Sequence, residues 1–180
     1  MNRLIICITL SILFLSSCAI TKFAGYYVSS GPGNDGKLSG NIYRSDSTAY
    51  SIGTLPGDWR RSKVQGGDLV FNNAKLQATI TVNSTCDGKK TAYSMVVLSE
   101  SLLIGINDKE LQGRQEAQVD GQEALYSVYS GNFEGVPIKI ATLVFKKGVC
   151  IYDFTYASSP DSFDTGYTEF QAFASQFRVL

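Results

Sequence analysis

Apolar residues follow two patterns along this chain, one continuous and one periodic. The continuous stretch is residues 4–15, apolar except for Thr9 and Ser11. An apolar helix needs about 20 residues to cross a bilayer, so this run suits the h-region of a secretory signal better than a permanent span. Past residue 40 the pattern becomes periodic. Ile42-Tyr43-Arg44 and Ala49-Tyr50-Ser51-Ile52 flank Ser45-Asp46-Ser47-Thr48 and read as a hairpin. Asp68-Leu69-Val70-Phe71 predicts a strand, and residues 74–82 predict another. In the second, Leu76, Ala78, Ile80 and Val82 alternate with Gln77, Thr79 and Thr81, a half-buried period of two. Met95, Leu98, Leu102 and Ile106 recur at spacings of three and four and predict a helix over 92–106.

Three or four strands come next. Residues 110–119 are mostly polar and suit a sheet edge; residues 124–129 follow. Residues 136–145 and 149–157 form a hairpin across Lys146-Lys147-Gly148, and both faces of its first strand are apolar enough for a central place. Ser159-Pro160 then opens a last helix: Ser159 can cap it, Pro160 fits the first turn, and Asp161 and Asp164 complement the helix dipole. Phe163, Tyr167, Phe170, Ala174 and Phe177 make its core stripe. The order strands, helix, strands, helix means an α+β domain, an antiparallel sheet flanked by helices.

The segment before the periodic region is different. Ser29-Ser30-Gly31-Pro32-Gly33-Asn34-Asp35-Gly36-Lys37 is glycine-rich and polar and cannot bury a core. Phe23, Tyr26, Tyr27 and Val28 precede it, as a short strand or as aromatics at a membrane interface. Three parts result: a signal peptide (1–17), a lipidated cysteine with a flexible tether (18–40), and a globular domain (41–180).

Leu15-Ser16-Ser17-Cys18 resembles the lipobox of bacterial lipoproteins, preceded by Arg3 and the h-region. Its chemistry requires a thiol, because diacylglycerol is attached as a thioether. Cleavage between Ser17 and Cys18 frees an α-amine that can take a further acyl chain, and two or three chains make anchoring stable. Ala19 stands where an aspartate would signal inner-membrane retention. The expectation is therefore a protein lipid-anchored to the outer membrane, on its periplasmic face.

Charge and residue types then exclude several function classes. Loss of residues 1–17 removes Arg3 and leaves 15 basic against 16 acidic side chains. Nucleic acid is not the expected partner, because phosphate binding needs a basic excess. Histidine is absent, which removes the commonest general base and metal ligand. Glu100, Asp108, Glu110, Glu116 and Glu123 show no spacing diagnostic of a carboxylate pair. No catalytic residue, metal or cofactor is expected.

With Cys7 in the signal and Cys18 lipidated, Cys86 and Cys150 remain in an oxidising compartment. The expectation is a bridge across a loop of about 64 residues, worth about 2–4 kcal/mol; two separate thiols are the alternative. A bridge would draw Lys89-Lys90 and Lys146-Lys147 into one basic patch facing headgroups or an acidic partner, although solvated loop lysines are common. Trp59 with Arg60 and Arg61 has an interface composition, while a tryptophan in a turn often lids a core.

Four stretches resemble the PsbP-like domains. They are Tyr50-Ser51-Ile52 leading to Leu55-Pro56-Gly57-Asp58-Trp59; Asp68-Leu69-Val70-Phe71 with Thr79-Ile80-Thr81-Val82; Gly121-Gln122-Glu123-Ala124; and Tyr152-Asp153-Phe154-Thr155-Tyr156-Ala157 with Phe173-Ala174-Ser175-Gln176-Phe177. The resemblance covers about residues 41–180. It implies an α-β-α sandwich and a non-enzymatic accessory or adaptor role. The lipobox and the cysteine pair lie outside that family's pattern. The expectation is an accessory protein that binds another cell-envelope component; the alternative is a small module that holds a lipid or apolar ligand between helix 92–106 and the sheet.

Overall fold

A computed structural model describes residues 36–62 and 68–180. The segment expected to be a signal peptide, with Ser17, Cys18 and most of the expected tether, lies outside the described residues. The described chain runs β1 (Lys37–Ser39), β2 (Ile42–Arg44), β3 (Ala49–Ser51), β4 (Arg60–Ser62), β5 (Leu69–Asn73), β6 (Ala78–Thr85), α1 (Met95–Ser101), β7 (Ile106–Val119), β8 (Gln122–Phe133), β9 (Val136–Lys147), β10 (Cys150–Ser158), a 3₁₀ turn (Pro160–Ser162), α2 (Phe163–Ser175) and β11 (Arg178–Val179).

Two antiparallel sheets result. The larger has the order β4-β5-β6-β10-β9-β8-β7, and the smaller β1-β2-β3-β11. Long meandering strands are possible because the turns match the sheet twist. Asp120-Gly121 and Glu134-Gly135 join β7 to β8 and β8 to β9 with positive φ at both central residues, 52° and 73° in the first, 50° and 79° in the second. That is the hairpin geometry in which glycine meets no steric cost at the second position.

Strand alternation then assigns the layers. In β10, Tyr152, Phe154 and Tyr156 belong to the main core with Phe163, Phe170, Phe173 and Phe177. Ile151 packs instead with Leu98, Leu102 and Val144, and Ala157 with Leu103, Tyr129 and Ile140. Successive side chains of a strand point to opposite faces, so α1 and α2 cover opposite faces of the large sheet. The result is an α-β-α sandwich of the α+β class. The small sheet shares the α2 side, where Tyr50 meets Phe177 at 4.7 Å between ring centroids and Tyr152 edge-on at 6.1 Å.

A buried carboxylate fastens the two sheets. Asp68 accepts hydrogen bonds from the hydroxyls of Tyr43 in β2 at 3.0 Å, Tyr50 in β3 at 2.9 Å and Ser84 in β6 at 2.5 Å. Burial first, then the Asp68 charge and hydrogen bond, raises the Tyr50 pKa far above its ordinary value.

Several boundaries differ from the sequence reading. Lys37–Ser39 pairs with β2 rather than ending the tether. Residues 74–77 form a turn, with Gln77 at φ 47°, so the strand expected over 74–82 is displaced to Ala78–Thr85. The helix expected over 92–106 shrinks to Met95–Ser101. Ser94 caps its start by accepting from the Val97 N–H at 3.3 Å, and Gly105, at φ 80°, precedes Ile106 in β7. The Ser159 hydroxyl pairs with that of Ser162 at 2.9 Å and caps nothing. Arg178–Val179, for which no element is predicted, pairs with β3.

Candidate interaction surface

The α1 side of the large sheet carries an open cleft where the helix starts. The Asp120-Gly121 turn sets the register that makes it, with Gln118 opposite Glu123 and Glu116 opposite Leu125. Gln118, Glu123 and Glu116 therefore share one face, in cross-strand and diagonal contact range. Met95 stands over them from α1. An opening of about 690 Å³ is lined by Ser94, Met95, Gln118, Gln122, Glu123 and Lys146, and an adjoining one of about 310 Å³ by Met95, Glu116, Gln118 and Glu123. Ala117 and Ala124 complete the lining of the smaller one, so polar and apolar groups share the cleft about equally, and no wall closes over them.

Lys146 positions the helix start. Its ammonium donates to the carbonyls of Thr91 at 2.7 Å and Tyr93 at 2.5 Å, which pins the loop before Ser94 to β9. By contrast, α1 itself lies close on the sheet. The space between Leu98 and Leu102 of α1 and Val144, Ile151, Thr85 and Asp153 of the strands is about 60 Å³.

Cys86 and Cys150 form a disulfide with Cα atoms 4.0 Å apart. They continue the β6–β10 ladder by one step beyond Thr85↔Ile151. The bridge thus clamps the loop leading to α1 onto the β9–β10 turn.

No family model matches the chain, and no curated protein matches it by sequence. Solved structures do match it. The solution structure of cyanobacterial PsbP (CyanoP) from Synechocystis sp. PCC 6803 superposes with a TM-score of 0.59 at 17% identity, over 81% of this chain and 99% of that one. The chain has a PsbP-like fold. A crystal structure of LpqN, described as involved in cell envelope biogenesis of Mycobacterium tuberculosis, matches with a TM-score of 0.55 at 15% identity, over 85% of this chain and 94% of that one. At these identities the likeness is one of fold.

Within this PsbP-like frame the expected basic patch does not assemble. Lys146 and Lys147 are neighbours in β9 and so point to opposite faces. Lys146 holds the α1 loop, while Lys147 makes an ion pair with Asp120 at 2.6 Å on the other side. Burial disfavours the Asp120 carboxylate, but Lys147, the Val179 N–H at 3.1 Å and the charge of Arg178 outweigh it and hold its pKa below the usual value. Lys89 and Lys90 stay exposed in the loop. Trp59 is buried, edge-on to Tyr156, and its indole N–H donates to Glu169 at 2.6 Å, so it lids the core and presents no interface. Arg60 and Arg61 are successive in β4 and part to opposite faces; Arg60 donates to the carbonyls of Gly57 and Trp59.

Sequence reasoning noted Glu116 and Glu123 and found no pairing between them. The signal was present in the Asp120-Gly121 dipeptide. Once that turn is fixed, counting outward places Gln118 against Glu123.

Proposed function

We propose that this chain is a lipid-anchored accessory protein of the bacterial outer membrane, on the periplasmic side, which binds another envelope component and catalyses no reaction. The anchor rests on Arg3, the h-region and the lipobox ending at Cys18. The lack of histidine, the commonest general base, supports the non-catalytic role. The fold shared with LpqN, a protein of cell envelope biogenesis, is in keeping with it.

One observation carries the binding role: the open cleft between Met95 of α1 and Gln118 and Glu123 of the β7–β8 hairpin. Such a surface suits a macromolecular partner with complementary polar groups. The reading as an apolar-ligand module gains less support, because the space directly under α1 is about 60 Å³, below the roughly 300 Å³ of small-molecule sites, and the larger openings beside Met95 are open and lined in part by Gln118, Glu116 and Glu123.

Two experiments test the proposal. Intact mass should place diacylglycerol and an acyl chain on Cys18, and Cys18→Ser should abolish them and stop normal maturation. If that variant matures and fractionates like the wild type, the anchor is wrong. For the surface, cross-linked envelope extracts should yield a component retained by the wild type and lost with Gln118→Arg plus Glu123→Arg. Equal retention by the folded double variant refutes the cleft as the binding site.

A further inference from the structure

The helix α1 covers only part of its side of the large sheet. It packs on β8 and β9 and reaches β10 through Ile151. Beyond it, the ladder sets Val70 of β5 opposite Thr81 of β6, and Thr81 opposite Thr155 of β10. Directly opposed residues share a face, so these three side chains form one row. Thr79 lies two residues along β6 on the same face, opposite Ala157. All five are buried, Val70, Thr81 and Thr155 to 1% exposure. Yet Val70 joins none of the apolar clusters of the described residues, and the hydroxyls of Thr81 and Thr155 have no hydrogen-bond partner among them. The row is made of small side chains, and close packing over small side chains calls for large ones in the facing layer.

We propose that residues 23–28 of the tether fold back over this row as a strap, with Phe23, Tyr26, Tyr27 and Val28 laid on Val70, Thr81 and Thr155. The place where the described chain begins supports it. A side chain added at Gly36 would collide with the Tyr43 ring, and the Tyr43 hydroxyl donates to Asp68 at 3.0 Å. The Asp68 N–H donates to Asn83 Oδ1 at 3.4 Å, and Asn83 Nδ2 donates to Asp153 Oδ1 at 3.1 Å. Thr81 and Thr155 stand two residues further along those strands on the same face, about 7 Å away. From Val28 to Gly36 the chain can reach at most about 29 Å, enough to pass from Tyr43 to the row. The rest of the chain offers less. Residues 4–15 are apolar but leave with the signal, and residues 63–67 hold one large apolar side chain, Val64. Because α1 stands between the row and the Met95 cleft, the strap leaves that cleft open. It also shortens the leash: Cys18 is then held within about 18 Å of the domain. The inference rests on cleavage before Cys18, which leaves residues 18–35 on the mature chain, and does not need the lipid.

The test uses the mature lipidated chain in vesicles of phosphatidylethanolamine and phosphatidylglycerol, with p-benzoylphenylalanine in place of Tyr26 or, separately, of Phe23. Irradiation should join either position to residues 69–85 or 150–158 of the same chain, read by peptide mapping at monomer mass. Adducts confined to lipid overturn the strap and put the aromatics at the membrane interface, where such side chains are also favoured. Adducts confined to a second chain, or to other faces of the domain, overturn it as well. A second measurement needs no photoprobe. In the triple variant Phe23→Ser, Tyr26→Ser and Tyr27→Ser, hydroxyl-radical labelling of Val70 should rise severalfold while that of Phe170 stays low. Unchanged labelling of Val70 in that folded variant overturns the strap. A mass spectrum lacking lipid on Cys18 sinks the anchor alone, and the cross-link, read on the unlipidated chain in buffer, still decides the strap.

Discussion

At the scale of single residues, Phe170 carries the largest expected effect. It is fully buried, stacked on Tyr156 at 5.7 Å and edge-on to Tyr126 at 6.2 Å. Phe170→Ala should cost about 3–5 kcal/mol in denaturant unfolding; a change within about 0.5 kcal/mol would place it on the surface. The hydroxyls of Thr81 and Thr155 predict the opposite sign. They are buried without a hydrogen-bond partner among the described residues and oppose each other across β6 and β10. Thr81→Val keeps the shape and removes a desolvated hydroxyl, so it should stabilise by about 1 kcal/mol. A loss of similar size would mean that the hydroxyl is engaged. Alkaline pH supplies a third prediction. Burial, aided by nearby Tyr167, raises the pKa of Tyr126 well above its ordinary value. Its contribution to stability is then complete below about pH 10 and is lost as pH rises toward the raised pKa. Unfolding free energy should fall above about pH 10, and Tyr126→Phe should make that fall shallower.

Elements show why some of the fold could be read from the sequence and some could not. The β2–β3 hairpin, the polar edge strand β7 and the aromatic α2 were legible because their patterns are local. Among the described strands β7 is a sheet edge, exposed from residue 107 to 116, with Lys109, Glu110, Arg114 and Glu116 along it and two register shifts that blunt it against further pairing. Phe173 was missed as a core residue because Phe170, Ala174 and Phe177 already satisfied the helical spacing. β1 and β11 were missed because strands of three and two residues show no period; long-range pairing with β2 and β3 makes them strands. The candidate cleft was illegible for a related reason, since its residues meet through a ladder. α1 was overextended because Ile106 fits both the helical spacing and the first position of β7. Such a short helix depends on its cap. Ser94→Ala should cost about 0.5–2 kcal/mol and raise hydrogen exchange in residues 95–101 while leaving α2 protected. Uniform exchange across both helices would show that α1 does not open independently.

At the scale of the whole molecule, the Cys86–Cys150 bond closes a loop that contains α1, β7, β8 and β9. Reduction, or Cys86→Ala with Cys150→Ala, should lower stability by about 2–4 kcal/mol. Because the β6–β10 ladder runs on for eight registered pairs beyond the bridge, the reduced protein should keep its far-UV spectrum at low temperature. Loss of that spectrum on reduction would make the bond a condition of folding. β1 has a mechanical consequence. A pull on the chain at Gly36 enters at Lys37, beside Arg44, at the open end of the β1–β2 pair. The load therefore meets the hydrogen bonds one at a time and peels β1 away like a zip, releasing about 10 Å of slack. The covalent ring from Cys86 to Cys150 cannot be drawn out by such a pull. A domain built this way yields first at β1 and keeps the α1 surface intact under tension.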